Sequence, residues 1–257
     1  MKKINIASLS LVVLFAVGLT TSAAVISENS NPADSAISTN AHGTDPTTVY
    51  DTGNYANRVG EYFAPGVSIS VLPFQLPTLA AGEVFTNAVL QLQLLGLDNG
   101  DSGLANVDLY GLSARASSTV LASDFYAGAT PDLSANATLL QANFLTPASP
   151  VRTDPNTGPF VTTSTQGDIS LAAFLNAQYA ISGPGSYVFL RLSYDQNPAL
   201  AGNDSYTVLT DDAGGANEKP LLTLTTAAPI PEPSSFAFLL TGLGAGAMGL
   251  YRKRRAT

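Results

Sequence analysis

The chain has 257 residues, with 19 acidic and 11 basic side chains, one histidine and no cysteine. The lack of cysteine excludes disulfides, thiol catalysis and cysteine–zinc sites. Six of the bases lie at the two ends, so residues 25–230 hold 18 acids against 5 bases, a net −13. That sign argues against a nucleic-acid partner, because phosphate binding needs cations; it suits a soluble secreted surface.

The N-terminus carries Lys2 and Lys3, an eleven-residue apolar run from Leu9 to Leu19, then Ser22, Ala23 and Ala24. A charged start, a short apolar stretch and a small-residue site form a secretory signal peptide, with cleavage expected after Ala24 or Ala23. Eleven residues are too few to span a bilayer, which takes about 20. Residues 25–47 are rich in Ser, Asn, Ala, Pro and Asp and contain His42, the single histidine. They have no apolar period and read as a flexible lead-in.

Residues 48–226 read as one all-β domain: short apolar runs separated by Gly, Asn, Asp and Pro. In Ala88–Leu112, Leu90, Leu92 and Leu94 alternate with Gln91 and Gln93. Turn chemistry follows at residues 98–103, then Val107 and Leu109 on one face, which predicts a β-hairpin with a longer loop. Residues 147–167 read as loop. Asp168 is a candidate N-cap, and Leu171, Phe174 and Leu175 share one helical face, so a short helix is expected over Leu171–Gln178. Val188, Leu190 and Leu192 alternate with Phe189, Arg191 and Ser193, and Leu222 and Leu224 with Thr223 and Thr225. Both read as half-buried antiparallel strands. Between them, Tyr206–Leu209 reads as a short strand and Asp211–Asn217 as turn. No internal repeat of fixed period occurs.

Residues 227–257 form a tail. Pro229, Pro231 and Pro233 make a stiff spacer. From Pro233 to Tyr251 there are 19 residues without a charge, which predicts a transmembrane helix over about 234–251. At about 1.5 Å per residue it would just cross a hydrocarbon core of about 30 Å. The basic cluster Arg252, Lys253, Arg254 and Arg255 follows at once and is expected to stay cytoplasmic. The body then faces the other side, in agreement with the signal peptide.

The succession Pro231, Glu232, Pro233, an apolar Gly-rich stretch and the basic cluster resembles the PEP-CTERM sorting domain. The resemblance implies Pro231, Glu232 and Pro233 as the sorting motif, recognition by an exosortase that cuts near it, and the envelope of a Gram-negative bacterium that makes exopolysaccharide. The body resembles the DNRLRE-type domain, on Ser70–Glu83 (SVLPFQLPTLAAGE), Thr86–Leu92 (TNAVLQL), the helix near Leu171, the strand near Val188 and the closing Lys219–Thr225 (KPLLTLT). Gln75 stands where that family has an acid, and the loop at 147–167 is long. This second resemblance implies an antiparallel jelly-roll-like β-sandwich akin to carbohydrate-binding modules.

No catalytic residue is assigned. His42 lies in the lead-in, away from any nucleophile that it would have to orient, and the acids are too many to single out a glycosidase pair. Asp98 and Asp101, with Asn99, offer oxygen ligands for calcium in one loop, although Asp and Asn are also ordinary turn residues. Tyr50, Tyr55 and Tyr62 cluster early and suit packing or sugar stacking. The reading is a non-enzymatic exported protein, sorted by an exosortase and passed to the cell surface or extracellular matrix. Its role is structural or adhesive in a biofilm; the alternative is a carbohydrate-binding module that docks on surface polysaccharide.

Overall fold

The computed structural model describes residues 23–39, 46–50, 55–61, 67–98, 103–126, 132, 136–154, 157–195, 204–213, 215 and 218–227. A strand turns successive side chains to opposite faces, and β-branched and aromatic residues fill its pleated surface well. The runs that alternate in this way become β1 (Ala24–Asn29), β2 (Ser35–Thr39), β3 (Pro46–Tyr50), β4 (Ala56–Glu61), β5 (Val67–Gln75), β6 (Val84–Leu92), β7 (Leu94–Asp98), β8 (Val107–Arg115), β9 (Ala137–Leu145) and β10 (Val161–Thr162). Helix α1 (Thr165–Ser182) follows, then β11 (Tyr187–Tyr194), β12 (Ser205–Leu209) and β13 (Leu221–Ala227).

Among the described residues the strands form two antiparallel sheets. The smaller has the order β1-β13-β6-β10. The larger has the order β7-β12-β4-β5-β11-β8-β9, with β2 joined to β5 and β3 to β2. One core lies between them. Leu90, Leu92, Leu222 and Leu224 enter it from the smaller sheet; Leu72, Phe74, Leu109 and Leu190 from the larger; Leu171, Phe174 and Leu175 from α1. A second apolar cluster, Ile37, Ile69, Val71, Leu112, Val120 and Phe189, covers the opposite face of the larger sheet. The described residues are therefore mainly β with one α-helix, as expected for the body.

Five expectations need correction. Part of the stretch expected as a flexible lead-in is strand: β1 pairs with β13, and β2 with β5. Its polar composition hides this, because among its described residues only Ile26, Ala36 and Ile37 have to reach apolar surroundings. The expected hairpin does not form as a pair. The chain leaves the smaller sheet after Leu92 and enters the larger one at Leu94, where β7 pairs with β12 while β8 pairs with β9 and β11. Leu90, Leu92 and Leu94 do share one core, but they reach it from two sheets. Strand β11 is not half-buried, since Phe189, Arg191 and Ser193 are covered as well.

The remaining two corrections concern the helix and the loop before it. The helix is longer than expected, and Ser164 caps it, its Oγ accepting from the Gly167 N–H at 3.2 Å. Asp168 lies in the first turn instead and accepts from the Thr163 hydroxyl. The expected loop at 147–167 contains β10 and this cap. Polar groups on α1 close gaps in the sheets. Asn176 accepts from the Phe85 N–H at 2.9 Å and donates to its carbonyl at 2.8 Å, and Gln178 accepts from Ala114 N–H at 2.8 Å.

Two packing details yield tests. Gly111 on β8 lies under the Phe174 ring, and a Cβ there would stand 2.6–2.7 Å from three ring atoms. Gly111→Ala should lower stability by about 1–3 kcal/mol, the usual cost of overpacking. Adding Phe174→Leu should recover part of it in urea titrations; full stability in the single variant would contradict this packing.

The second detail is the corner between β1 and β2. There Asp34 Oδ2 accepts from Ser30 Oγ at 3.0 Å and from the Asp211 N–H at 2.7 Å, while Oδ1 is buried with no partner among the described residues. Burial pushes the Asp34 carboxyl up to about 7, with Asp211 and Asp212 adding to the rise and the two hydrogen bonds opposing it. An acid raised in the folded state stabilises most when protonated. Its contribution is complete below the unfolded value of about 3.9 and disappears as pH rises through 7. Asp34→Asn, which imitates the protonated form, should therefore gain stability over the parent between pH 5 and pH 8, on the order of 2–4 kcal/mol. A constant difference across that range would refute the assignment.

Candidate functional site

Arg191 is the centre of the outer face of the larger sheet. It stands in β11 between Val71 of β5 and Tyr110 of β8 and is only 2% exposed. A buried guanidinium is costly unless its donors are met. Its Nε donates to Ser193 Oγ at 2.8 Å, Nη1 donates to the Asp124 carbonyl at 3.0 Å, and Nη2 donates to Asp132 Oδ2. The rings of Tyr110 and Tyr126 lie 5.0 and 5.6 Å from it, within cation–π range. Tyr110 accepts from the Asp132 N–H at 2.9 Å and donates to Asp108 Oδ2 at 3.2 Å. Burial, with Asp108 in support, pushes the Tyr110 phenol up to about 12, so it stays a hydroxyl donor.

Arg115, at the end of β8, makes the second pair. Its guanidinium lies 3.6 Å above the Phe189 ring and donates to Asp124 Oδ1 and Oδ2 at 3.0 and 2.8 Å. Such a fork-to-fork pair fixes direction as well as distance. Asp124 Oδ2 also accepts from the Leu121 N–H at 2.8 Å, which closes a short 3-10 turn over Ala122–Asp124. Asp124 thus holds both arginines, one by its carboxylate and one by its carbonyl, and residues 116–126 are pinned over the sheet.

Between this loop and the sheet is a cavity of about 290 Å³. Arg115, Arg191, Asp124 and Asp132 line it, with Phe125 and Tyr126 as its rings. Exposed Ser113, Ser123 and Asn136 stand at its rim. Two guanidinium groups meet two carboxylates, so the lining has no net charge. None of these residues was singled out by the sequence reading as functional. One signal was available: Arg191 interrupts the apolar strand YVFLRLSY and is one of only five bases in the body.

The residues singled out by sequence lie elsewhere. Asp98 ends β7, and its Oδ2 is 2.6 Å from Arg58 Nη1; Asp101 and Asn99 lie outside the described residues. A calcium ion at Asp98 would have to displace that guanidinium. Among the described residues no group of three or more His, Asp or Glu stands close enough to hold a metal ion. Tyr55 interacts with Arg152 and Glu218, and the guanidinium lies 5.5 Å over its ring; Tyr62, the side chain of Tyr50 and His42 are outside the described residues. The Gly215 N–H and the Arg152 guanidinium hold the Glu218 carboxyl below its usual range. Ala24 is the first residue of β1 and lies opposite Thr226. The motif Pro231, Glu232 and Pro233 and the cluster 252–255 lie outside the described residues, among which no helix is long and apolar enough to cross a membrane.

No family model and no curated protein matches the chain, so the two resemblances rest on the motifs quoted above.

The pairing around Arg191 predicts a clear asymmetry. Arg191→Met leaves Asp132 buried without its cation and should cost about 3–5 kcal/mol. Replacing both, Arg191→Met with Asp132→Leu, should cost less than the single change, because no unpaired charge remains. Chemical denaturation of the three proteins checks this; a double variant weaker than the single one would contradict it.

Proposed function

We propose that the chain is an exported, non-enzymatic protein of a Gram-negative envelope, held by its tail until an exosortase cuts near Pro231–Pro233 and releases it into the exopolysaccharide matrix, where its role is structural or adhesive. The observation that carries this reading is the order of the tail: Pro-Glu-Pro, 18 uncharged residues, then Arg252–Arg255, with a signal peptide at the opposite end. The geometry supports it at one point. β1 and β13 are antiparallel neighbours, and Ala24 lies opposite Thr226. Both targeting segments therefore join the body at the same end of the smaller sheet, as suits a body tethered at one pole. The finer reading of the fold is a jelly-roll-like sandwich. A carbohydrate-binding module that docks on surface polysaccharide is the second reading, favoured by the neutral, hydrogen-bond-rich cavity beside Arg115 and Arg191.

Two measurements test the sorting. In a host with an exosortase, mass spectrometry should find the mature chain beginning near Val25 and ending near Pro231; a mature protein that retains Arg254 and Arg255 would count against it. In a host without one, a reporter active only in the cytoplasm should work when fused to Thr257. Moving the four cations through hydrocarbon costs roughly 2.5–3.5 kcal/mol each on insertion scales. Replacing all four with Gln should thus weaken retention and let precursor pass into the periplasm. Equal retention of that variant would remove the role given to these charges.

A further inference from the structure

We propose that the cavity under residues 116–126 is a binding site for an uncharged pyranose ring of a polysaccharide. The proposal rests on the envelope reading above and adds to it the place and chemistry of recognition. Four observations carry it.

The first is charge. The two arginines and two aspartates of the lining cancel. A phosphate or uronate would meet Asp124 and Asp132 as well as the arginines, and an ammonium group would meet both guanidiniums. A neutral ligand avoids either repulsion.

The second is hydrogen-bonding capacity. A sugar hydroxyl both donates and accepts. Here donors and acceptors stand side by side in planar groups, guanidinium next to carboxylate, in an arrangement that the Arg115–Asp124 fork fixes beforehand. Arg115 keeps a quarter of its side chain exposed, so an edge of that fork remains within reach. The charges are already paired, so ligand entry does not strand an isolated ion.

The third is apolar surface. Phe125 and Tyr126 are half-buried and line the cavity. An aromatic wall suits the C–H face of a pyranose, while the opposite wall meets its hydroxyls.

The fourth is size and stiffness. The volume of about 290 Å³ lies just below the range of drug-sized ligand sites, about 300–1,000 Å³, and suits one ring rather than a folded peptide. Most of the walls are strand residues of β8 and β11 and a loop tied to both, and Asp132 is held by Arg191 and Tyr110, so little ordering of these groups is needed when the ligand enters.

The test uses the protein purified after export. An array of neutral gluco-, galacto- and manno-oligosaccharides is presented beside uronate-containing and sulfated glycans, and the strongest neutral hit is titrated by calorimetry. The expected result is binding of a neutral glycan at least about tenfold tighter than of uronate or sulfated counterparts. Ser123→Phe, at the exposed rim, should fill the mouth and abolish binding. Asn136→Ala should weaken it severalfold. Both variants should keep the parent's melting temperature, since neither residue belongs to the ion pairs. Should Ser123→Phe fail to fold, Asn136→Ala and protection of the cavity's amide signals by the bound neutral glycan decide the matter. No neutral binding, equal or tighter binding of the anionic glycans, or binding that ignores both variants would overturn the proposal. Correct exosortase processing without glycan binding would remove this site and leave the envelope reading standing; glycan binding in a chain that is never processed would do the reverse.

Discussion

Arg191 carries a full charge into the middle of a strand that is buried on both faces. Neither neighbouring strand supplies a carboxylate opposite it: its register partners are Val71 and Tyr110. The counter-charge comes from Asp132, 59 residues away, and a further acceptor from the Asp124 carbonyl. Meeting one guanidinium thus draws the segment after β8 across the outer face of the sheet. Ile37, Ile69, Val71, Val120 and Phe189 are then covered. An unmet charge in that position would cost more than the apolar cover gains. The cavity beside it is the space left where a loop fixed by polar directions cannot also fill every apolar gap.

The same economy of cations runs through the body. Each of its five bases pairs with a different acid: Arg58 with Asp98, Arg115 with Asp124, Arg152 with Glu218, Arg191 with Asp132 and Lys219 with Asp211. The pairs differ in worth. Arg58–Asp98 is solvent-exposed and contributes little. Arg191–Asp132 is almost fully buried, and its loss from one side is severe. Arg152–Glu218 joins residues 66 apart, linking the segment before β10 to the turn before β13. In a chain without cysteine, such links between distant segments stand where covalent ones are excluded. Of the acids left over, Asp34, Glu61, Asp108 and Asp204 are buried as well, so the excess negative charge does not all face solvent.

The first and last strands close the fold together. β1 adds to β13, and β13 to β6, so the smaller sheet is complete only when the end of the body is present. The corner after β1 is tied to the same region: the Ser30 N–H donates to the Pro220 carbonyl at 3.0 Å, and Asp34 accepts from Asp211. A strand paired with a partner some 200 residues later cannot form early, since its contacts wait for nearly the whole chain.

Much of the local pattern was legible in the sequence. Leu90 and Leu92, Val188 to Leu192, Tyr206 to Leu209 and Leu222 to Leu224 announce strands, because alternation is a property of neighbouring residues and needs no partner to be seen. The proposed signal peptide and sorting tail are likewise read from linear patterns of charge and apolarity. What alternation cannot state is which strand lies beside which, or whether a second cover is laid over the polar-looking face. Gln93 looks like one more outward residue between two leucines, yet it is buried where the chain passes from one sheet to the other. The apolar face of Leu171, Phe174 and Leu175 marks only the middle of the helix; beyond it, Asn176, Gln178 and Tyr179 bond Phe85, Ala114 and Leu79, contacts that only the fold supplies. Arg191 was visible as an oddity within an apolar strand, but its meaning depended on Asp124 and Asp132, which fold onto it from a separate segment. The sequence by itself determined the alternation that makes the strands, the charge pattern of the ends and the scarcity of cations. Only the tertiary structure decided where those cations find acceptors, and with them the cavity, because a buried charge is satisfied by whatever the chain brings within 3 Å and not by what stands next to it in order.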